Sequence, residues 1–266
     1  MIPDLHRLLL DVTELARGAG RAILAVYASS FTVTEKDDRS PLTEADLQSE
    51  RLILAGLRRL APEIPILSEE SAQAPYVKRA AWDWLWVVDP LDGTKEFVQR
   101  NGEFTVNIAL VHRHRPVLGV VHAPVLERDY YAGEGIGAFR SDATAAGRAI
   151  HVVPRGPGPV RVVGSRSHRG SSLDTFLERI GPHEFVEVGS SLKMCLVAEG
   201  LADVYPRLGP TSEWDTAAGQ CVAEQAGAQV LRLDGEPLSY NKGDEVLNPH
   251  FIVYADPGTD WLAHLR

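Results

Sequence analysis

Apolar residues recur at helical spacing from the start of the chain. Leu5, Leu8, Leu9, Val12, Leu15, Ala16, Ala19, Ile23 and Val26 line one face of a helix over residues 4 to about 28, with Asp4 as its cap. A polar segment from Lys36 to Pro41 follows. Thr43 and Asp46 then form a capping-box-like pair ahead of Leu47, Leu54, Leu57 and Leu60, which predicts a second helix. Residues 64–68 read as a short strand ending in Glu69-Glu70. Residues 85–88 are four consecutive apolar positions, as in a buried strand, and Pro90 and Gly93 break the run. Lys95-Glu96-Phe97-Val98 resumes a helical pattern, so Thr94 falls near a helix start. The pattern from 104 to 132 is β, with strands over 104–111 and 117–121 joined through Arg113-His114-Arg115-Pro116.

Glycines at 133, 135, 137, 147, 156 and 158, with prolines at 154, 157 and 159, mark a looser stretch and place an internal boundary near residues 150–158. Beyond it, strands at Val160, Phe185, Asp203 and Gln229 alternate with helices at Ser171, Ser190 and Trp214, an α/β pattern. The expected division is an α+β part over residues 1–153 carrying most of the acids and an α/β part over 154–266. A cleft between them would hold any site shared by both.

Composition narrows the classes. With 266 residues, 44% of them hydrophobic and 24% charged, the chain can bury a sizeable core. A net charge of -9 and no basic patch argue against a nucleic-acid polymer as partner. Cys195 and Cys221 lie in apolar helical patterns and read as packing residues, which fits a reducing compartment. Leu8-Leu9-Leu10 is too short for the core of a signal peptide, and no run approaches the ~20 apolar residues of a membrane span. The simplest location is the cytoplasm; loose association with the inner membrane and a homodimer are both compatible with the sequence.

Candidate chemistry concentrates in Trp86-Val87-Val88-Asp89-Pro90-Leu91-Asp92-Gly93-Thr94. Two carboxylates flanking Pro-Leu behind a buried strand repel and need a partner. A hard divalent cation with oxygen ligands supplies one. Gly93-Thr94 at a helix start offers unpaired N–H groups to phosphate, so the segment reads as a metal-bridged phosphate site. An aspartyl nucleophile would want Asp-x-Asp-Gly-Thr, one residue shorter, and the alternating acids of an EF-hand are absent. The other acids are ambiguous alone. Asp46 reads equally as a helix-start acid, Glu69-Glu70 as a solvated loop, and Asp215, in Glu213-Trp214-Asp215-Thr216-Ala217-Ala218-Gly219, as a helix cap. The small residues after Asp215 would let that helix approach another backbone closely. Trp82, Trp84 and Trp86 alternate along a strand and read as packing before any role as a base platform.

Taken in order, Asp46, Glu69-Glu70, Asp89 to Thr94 and Trp214-Asp215-Thr216-Ala217-Ala218 resemble the motif set of the inositol-monophosphatase-like superfamily of Mg²⁺-dependent, lithium-sensitive phosphatases. Asp89-Pro90-Leu91-Asp92-Gly93-Thr94-Lys95-Glu96-Phe97 is most similar to its 3'(2'),5'-bisphosphate nucleotidases of the bacterial CysQ type. Phe104-Thr105-Val106-Asn107-Ile108-Ala109-Leu110, Gly164-Ser165-Arg166-Ser167-His168, Gly189-Ser190-Ser191-Leu192-Lys193 and Tyr205-Pro206-Arg207 point the same way.

The resemblance implies a layered αβαβα sandwich of the inositol monophosphatase and fructose-1,6-bisphosphatase type. It implies two Mg²⁺ per site, one on Glu69, Asp89 and the Leu91 carbonyl, the other on Asp89, Asp92 and Asp215. A weaker third would be held through water with the help of Glu69. Gly93 and Thr94 would contact phosphate, and Thr94 with Asp46 would orient and deprotonate the attacking water. Ser190, Lys193 and Arg207 would lie near the substrate and His168 near an adenosine, while Glu70 has no firm role. The implied substrate is 3'-phosphoadenosine 5'-phosphate, hydrolysed to AMP and phosphate, which recycles a by-product of sulfate assimilation.

The residues alone leave other readings open. Lys193 fits an exposed helix position, Arg207 a surface partner of Glu213, and His168 an unengaged loop histidine. An inositol-1-phosphate or sugar-phosphate phosphatase would use the same metals. A non-catalytic metal-dependent nucleotide sensor would be expected to lack Asp46 or Thr94, and an aspartyl-phosphate phosphatase would phosphorylate Asp89.

Overall fold

The computed structural model describes residues 4–35, 41–143, 146–165 and 170–265. Helix α1 (Leu5–Tyr27) buries the apolar stripe, and Asp4 accepts the Arg7 N–H as its N-cap. An antiparallel pair, β1 (Val33–Glu35) and β2 (Pro41–Thr43), leads into α2 (Glu44–Leu60), which opens on the expected capping box between Thr43 and Asp46. Strand β3 (Ile66–Ser68) and the single-turn α3 (Tyr76–Arg79) precede β4 (Trp84–Asp92) and the short α4 (Thr94–Val98). An antiparallel meander follows: β5 (Thr105–His112), β6 (Arg115–Ala123), β7 (Arg128–Gly133), β8 (Gly137–Asp142) and β9 (Arg148–Ile150). Arg113 and His114 both take positive φ in the β5–β6 turn, matching the right-handed twist of a tight hairpin.

The second half alternates as its sequence pattern predicts. It comprises β10 (Val160–Ser165), α5 (Ser171–Ile180), β11 (His183–Val188), α6 (Leu192–Ala198), β12 (Val204–Arg207), α7 (Glu213–Gln225) and β13 (Gln229–Arg232). Then come β14 (Phe251–Tyr254), which the sequence pattern did not bring out, and a 3₁₀ turn, Trp261–Leu265. Two other expectations need correction. The stretch read as loose from residue 133 contains β8 and β9, and Gly135 and Gly137 take positive φ in the turn between strands, so these glycines punctuate a sheet. The Asp89 strand does not stop at Pro90; it runs on to Asp92 through a shift of register against β5, an irregularity of the kind that admits proline within a sheet.

Strand order is β3-β4-β5-β6-β7-β8-β9 in a seven-stranded sheet and β11-β10-β12-β14-β13 in a five-stranded one. Side-chain alternation then sorts the core into layers. Trp86, Val88, Ile108, Leu110 and Val120 face α1 and α2. Leu85, Val87, Ala109, Val111 and Val121 face the other way, where α6 and α7 lie between the two sheets, and Val163, Tyr205, Phe251 and Val253 close that layer from the second sheet. Val162, Val204 and Ile252 turn outward onto α5 and Trp261. The result is the αβαβα sandwich. Strands covered on both faces explain why β4 and β5 read as apolar runs rather than alternations. At Gly119 an added Cβ would lie 2.4 Å from the Ala218 carbonyl oxygen, so α7 packs its backbone onto β6, as the small residues following Asp215 allow. Cys195 and Cys221 are buried free thiols in this central layer. Among the described residues no helix is long and apolar enough to cross a membrane.

A buried ion cluster pins α1 to the meander. Arg17 donates to Asp129 Oδ2 from Nε at 2.8 Å and Nη2 at 2.7 Å, His122 Nδ1 lies 2.7 Å from Asp129 Oδ1, and Ser141 Oγ donates at 2.8 Å. Burial pushes the Asp129 carboxyl up, but the hydrogen bonds from His122 and Arg17 outweigh it and hold the group below the usual carboxylate range. A depressed folded value contributes stability that is present above the unfolded pKa of ~3.9 and is lost as pH falls through the folded value. Asp129→Asn is therefore expected to cost about 3 kcal/mol at neutral pH, read from urea unfolding, with the difference from wild type shrinking in acid below that range. An unchanged midpoint at pH 7 would refute the assignment.

Candidate active site

Strand β4 delivers the first acids. Residues three apart on a regular strand point to opposite faces. The register shift between Asp89 and Asp92 removes that constraint, and oxygens of Asp89, Asp92 and Asp215 all lie within 4.8 Å of one another. Asp89 is buried at 1% exposure, and its Oδ1 accepts the Leu91 N–H at 3.0 Å. Glu69 follows β3, and its N–H donates to the Val88 carbonyl at 3.2 Å, which sets it beside Asp89. Burial, then Glu69, Asp92 and Asp215, push the Asp89 carboxyl well above its ordinary range.

Asp215 sits in the first turn of α7. Its Oδ2 accepts the Ser212 N–H at 2.9 Å and Thr211 Oγ1 at 2.7 Å, closing a second capping box. Burial and then Asp92 raise its carboxyl to about 7 against the pull of those two hydrogen bonds. Capping and membership of the acid cluster thus coexist in one residue. The same holds for Asp46, which is buried. Its Oδ2 accepts Thr43 N–H at 2.8 Å and Thr43 Oγ1 at 2.7 Å, while its Oδ1 accepts Thr94 Oγ1 at 3.2 Å. Thr94 Oγ1 also stands 3.3 Å from the Leu91 carbonyl. Between them Gly93 takes φ 90°, and an added Cβ would meet the Glu103 carbonyl oxygen at 3.2 Å and Ser190 Cβ at 3.3 Å.

These groups open onto a cleft of about 190 Å³, lined by Asp92, Gly93, Thr94 and Asp215 and also by Ser190, Tyr205, Lys193 and Arg207. Lys193 is buried, contrary to the exposed-helix alternative, because α6 lies between two sheets. Its Nζ donates to the Ser190 carbonyl and to the Val188 carbonyl at 3.4 Å, and lies 5.8 Å from the Tyr205 ring centroid. Burial pulls its ammonium down to about 8. Arg207 does not pair with Glu213. Its Nη2 donates to the Pro210 carbonyl, while Glu213 Oε1 accepts the Asn241 N–H at 2.7 Å. His168 lies outside the described residues. Trp86 is sealed in the core beneath α1 and α2, and Trp84 stacks on His112 at 4.0 Å; neither lines the cleft.

Ser191, Thr105 and Asn107 stand in segments that carry the family resemblance, but the sequence reading gives none of them a role. Asn107 Nδ2 donates to Ser191 Oγ at 2.8 Å, and Thr105 Oγ1 bonds Asn107 Oδ1 at 2.9 Å and Ser190 Oγ at 2.6 Å. A signal was present: Thr105 and Asn107 are polar residues at same-face spacing in an otherwise apolar strand.

The profile of the inositol monophosphatase family matches residues 4–257. The 3'(2'),5'-bisphosphate nucleotidase CysQ of Salmonella typhimurium is 50% identical over 248 residues, 92% of this chain and 99% of that protein. The protein of the same description from Haemophilus influenzae is 36% identical over 257 residues, 96% of each chain. Among solved structures, CysQ from Bacteroides thetaiotaomicron, a bacterial member of the inositol monophosphatase family, superposes with a TM-score of 0.83 at 42% identity, covering 94% of this chain and 97% of that one. The Thermotoga maritima IMPase superposes with a TM-score of 0.78 at 27% identity, covering 96% and 94%.

Proposed function

The chain belongs to the inositol monophosphatase family, and from that premise we propose that it is a Mg²⁺-dependent phosphatase hydrolysing the 3'-phosphate of 3'-phosphoadenosine 5'-phosphate to AMP and phosphate. One observation carries the substrate reading. Besides the acids Asp92 and Asp215, the cleft is lined by two basic side chains, the buried Lys193 and Arg207. A phosphate held through cations at the acids would leave a second anionic group facing Lys193 and Arg207, as a bisphosphorylated nucleotide requires and an inositol monophosphate does not. In a cell the reaction would recycle the nucleotide left over from sulfate assimilation.

The acid cluster suits a hard divalent cation. Its donors are all oxygen, three of them within 4.8 Å, and their mutual repulsion is what a cation relieves. Glu69, Asp89 and the Leu91 carbonyl would hold one Mg²⁺, and Asp89, Asp92 and Asp215 a second, with Glu69 helping a third through water. When bound, Mg²⁺ neutralises phosphate charge and lowers the pKa of water.

The chain's own groups do the rest. Thr94 donates its hydroxyl hydrogen to Asp46 Oδ1, which leaves Thr94 Oγ1 free to accept a hydrogen from the attacking water. Asp46, fixed by Thr43 through its other oxygen, then takes up the charge of the transferred proton. Gly93, which takes φ 90° at the start of α4, and Thr94 line the cleft where they would contact the phosphate. Lys193, Arg207 and Ser190 bind the second phosphate and so set its distance from the first.

The test is Mg²⁺-dependent phosphate release from 3'-phosphoadenosine 5'-phosphate beside inositol-1-phosphate and fructose-1,6-bisphosphate. Two charge-assisted contacts at roughly 1.5–3 kcal/mol each predict a nucleotide preference of a hundredfold or more in kcat/KM. Preference for the inositol or sugar phosphate would overturn the substrate and leave the metal chemistry standing.

A further inference from the structure

Ser191 ties together groups from three separate elements. Its Oγ lies 2.8 Å from Asp92 Oδ2 at the end of β4 and 2.5 Å from the main-chain carbonyl oxygen of Asp215 in the first turn of α7. Asn107 Nδ2, on β5, donates to the same oxygen at 2.8 Å. The residue is 5% exposed. A serine hydroxyl has one hydrogen, and with Asn107 occupying an acceptor position that hydrogen is shared between Asp92 and the Asp215 carbonyl. Both acceptors belong to residues whose carboxylates converge on the acid cluster.

We infer that Ser191 is a positioning residue for the cation position formed by Asp92 and Asp215. Through one atom it fixes the rotamer of Asp92 and the depth at which α7 enters the cleft. The two demands are complementary. A cation that takes up the charge of Asp92 weakens its hold on the shared hydrogen, and the hydroxyl can turn to the Asp215 carbonyl without losing a partner. Alanine at this position would strip a donor from both acceptors and leave Asn107 Nδ2 only a 3.5 Å contact with Asp92 Oδ2. Partners that orient a metal ligand in this way are typically worth about ten- to a hundredfold in metal affinity. The inference rests on the cation half of the function proposed above and not on the nucleotide.

Titration calorimetry with Mn²⁺ on the substrate-free full chain tests it. Ser191→Ala is expected to weaken Mn²⁺ binding by roughly ten- to a hundredfold, and Ser191→Thr, which keeps the hydroxyl on the same helical backbone, to restore most of it. In turnover assays the alanine variant should need a higher Mg²⁺ concentration for half-saturation while recovering kcat at saturation. Wild-type Mn²⁺ affinity in the alanine variant would overturn the inference, as would a kcat loss independent of Mg²⁺. Should Ser191→Ala not fold, Asn107→Ala, which frees the Ser191 hydroxyl from one restraint, is expected to show a smaller loss of the same kind; an unchanged affinity there overturns it equally. A chain that ignores the nucleotide yet shows the Mn²⁺ shift would refute the substrate reading alone.

Discussion

Asp89→Asn is expected to reduce Mg²⁺-dependent phosphate release by about a thousandfold or more, the several kcal/mol that a shared metal ligand contributes to charge stabilisation. The substitution keeps the shape of the side chain and an oxygen for the Leu91 N–H. It removes the central charge from a group flanked by Glu69, Asp92 and Asp215. A second readout follows from the sign of that environment. Because burial and its neighbours disfavour the charged Asp89, neutralising it relieves repulsion in the cation-free protein. Thermal unfolding in a chelator should therefore show the variant at least as stable as wild type, while added Mg²⁺ should stabilise wild type far more. Near-normal turnover, or Mg²⁺ stabilisation equal to wild type, would remove Asp89 from the site.

Asp46→Asn should act on a different parameter. Here kcat is expected to fall by ~10²–10⁴, as for loss of a general base, with the Mg²⁺ requirement little changed. Thr43 donates two hydrogen bonds to Asp46 Oδ2, so an asparagine would keep its oxygen there and turn its NH₂ toward Thr94. The Thr94–Asp46 hydrogen bond would then be reversed, and Thr94 could no longer pass a proton on. Thr94→Ser, retaining the hydroxyl, should be much milder than Thr94→Ala. Steady-state kinetics across a Mg²⁺ series separate the effects; an Asp46 variant that lost metal affinity at unchanged kcat would contradict the assigned role.

Local chemistry was the legible part of this site. Asp89, Asp92 and Thr94 fall within six residues, and the apolar run before them announced a buried strand. Asp46 and Asp215 were visible as caps, but nothing local told that capping uses one face of each carboxylate and leaves the side chain beside the cleft. Ser191 was opaque because its partners, Asn107 and Asp92, are 84 and 99 residues away, and such pairings exist only once the sheets have assembled. Lys193, which the residues alone allow at an exposed helix position, carried a contrary signal that was not used. In Leu192-Lys193-Met194-Cys195-Leu196-Val197-Ala198 a single charge interrupts a helix with no polar face, and such a helix is buried all round. The periodicity of the strands beyond residue 133 was lost because β9 has only three residues and β8 begins at a glycine.

Helix α7 has a bearing on how the chain could be divided. The Gly- and Pro-rich stretch divides the sequence into residues 1–153 and 154–266, yet α7 comes from the later part and covers the central face of the seven-stranded sheet, with Ala218 against Gly119 and Cys221 beside the Ala132 carbonyl. A fragment ending at residue 153 would leave Leu85, Val87, Ala109, Val111 and Val121 open to water, at a cost of roughly 1.5–3 kcal/mol for each larger side chain. The two pieces would therefore behave as halves of one cooperative unit: neither would be an autonomous module, and co-expressed fragments would be stable only by finding each other. A chain built this way can exchange surface loops with relatives far more readily than it can exchange halves.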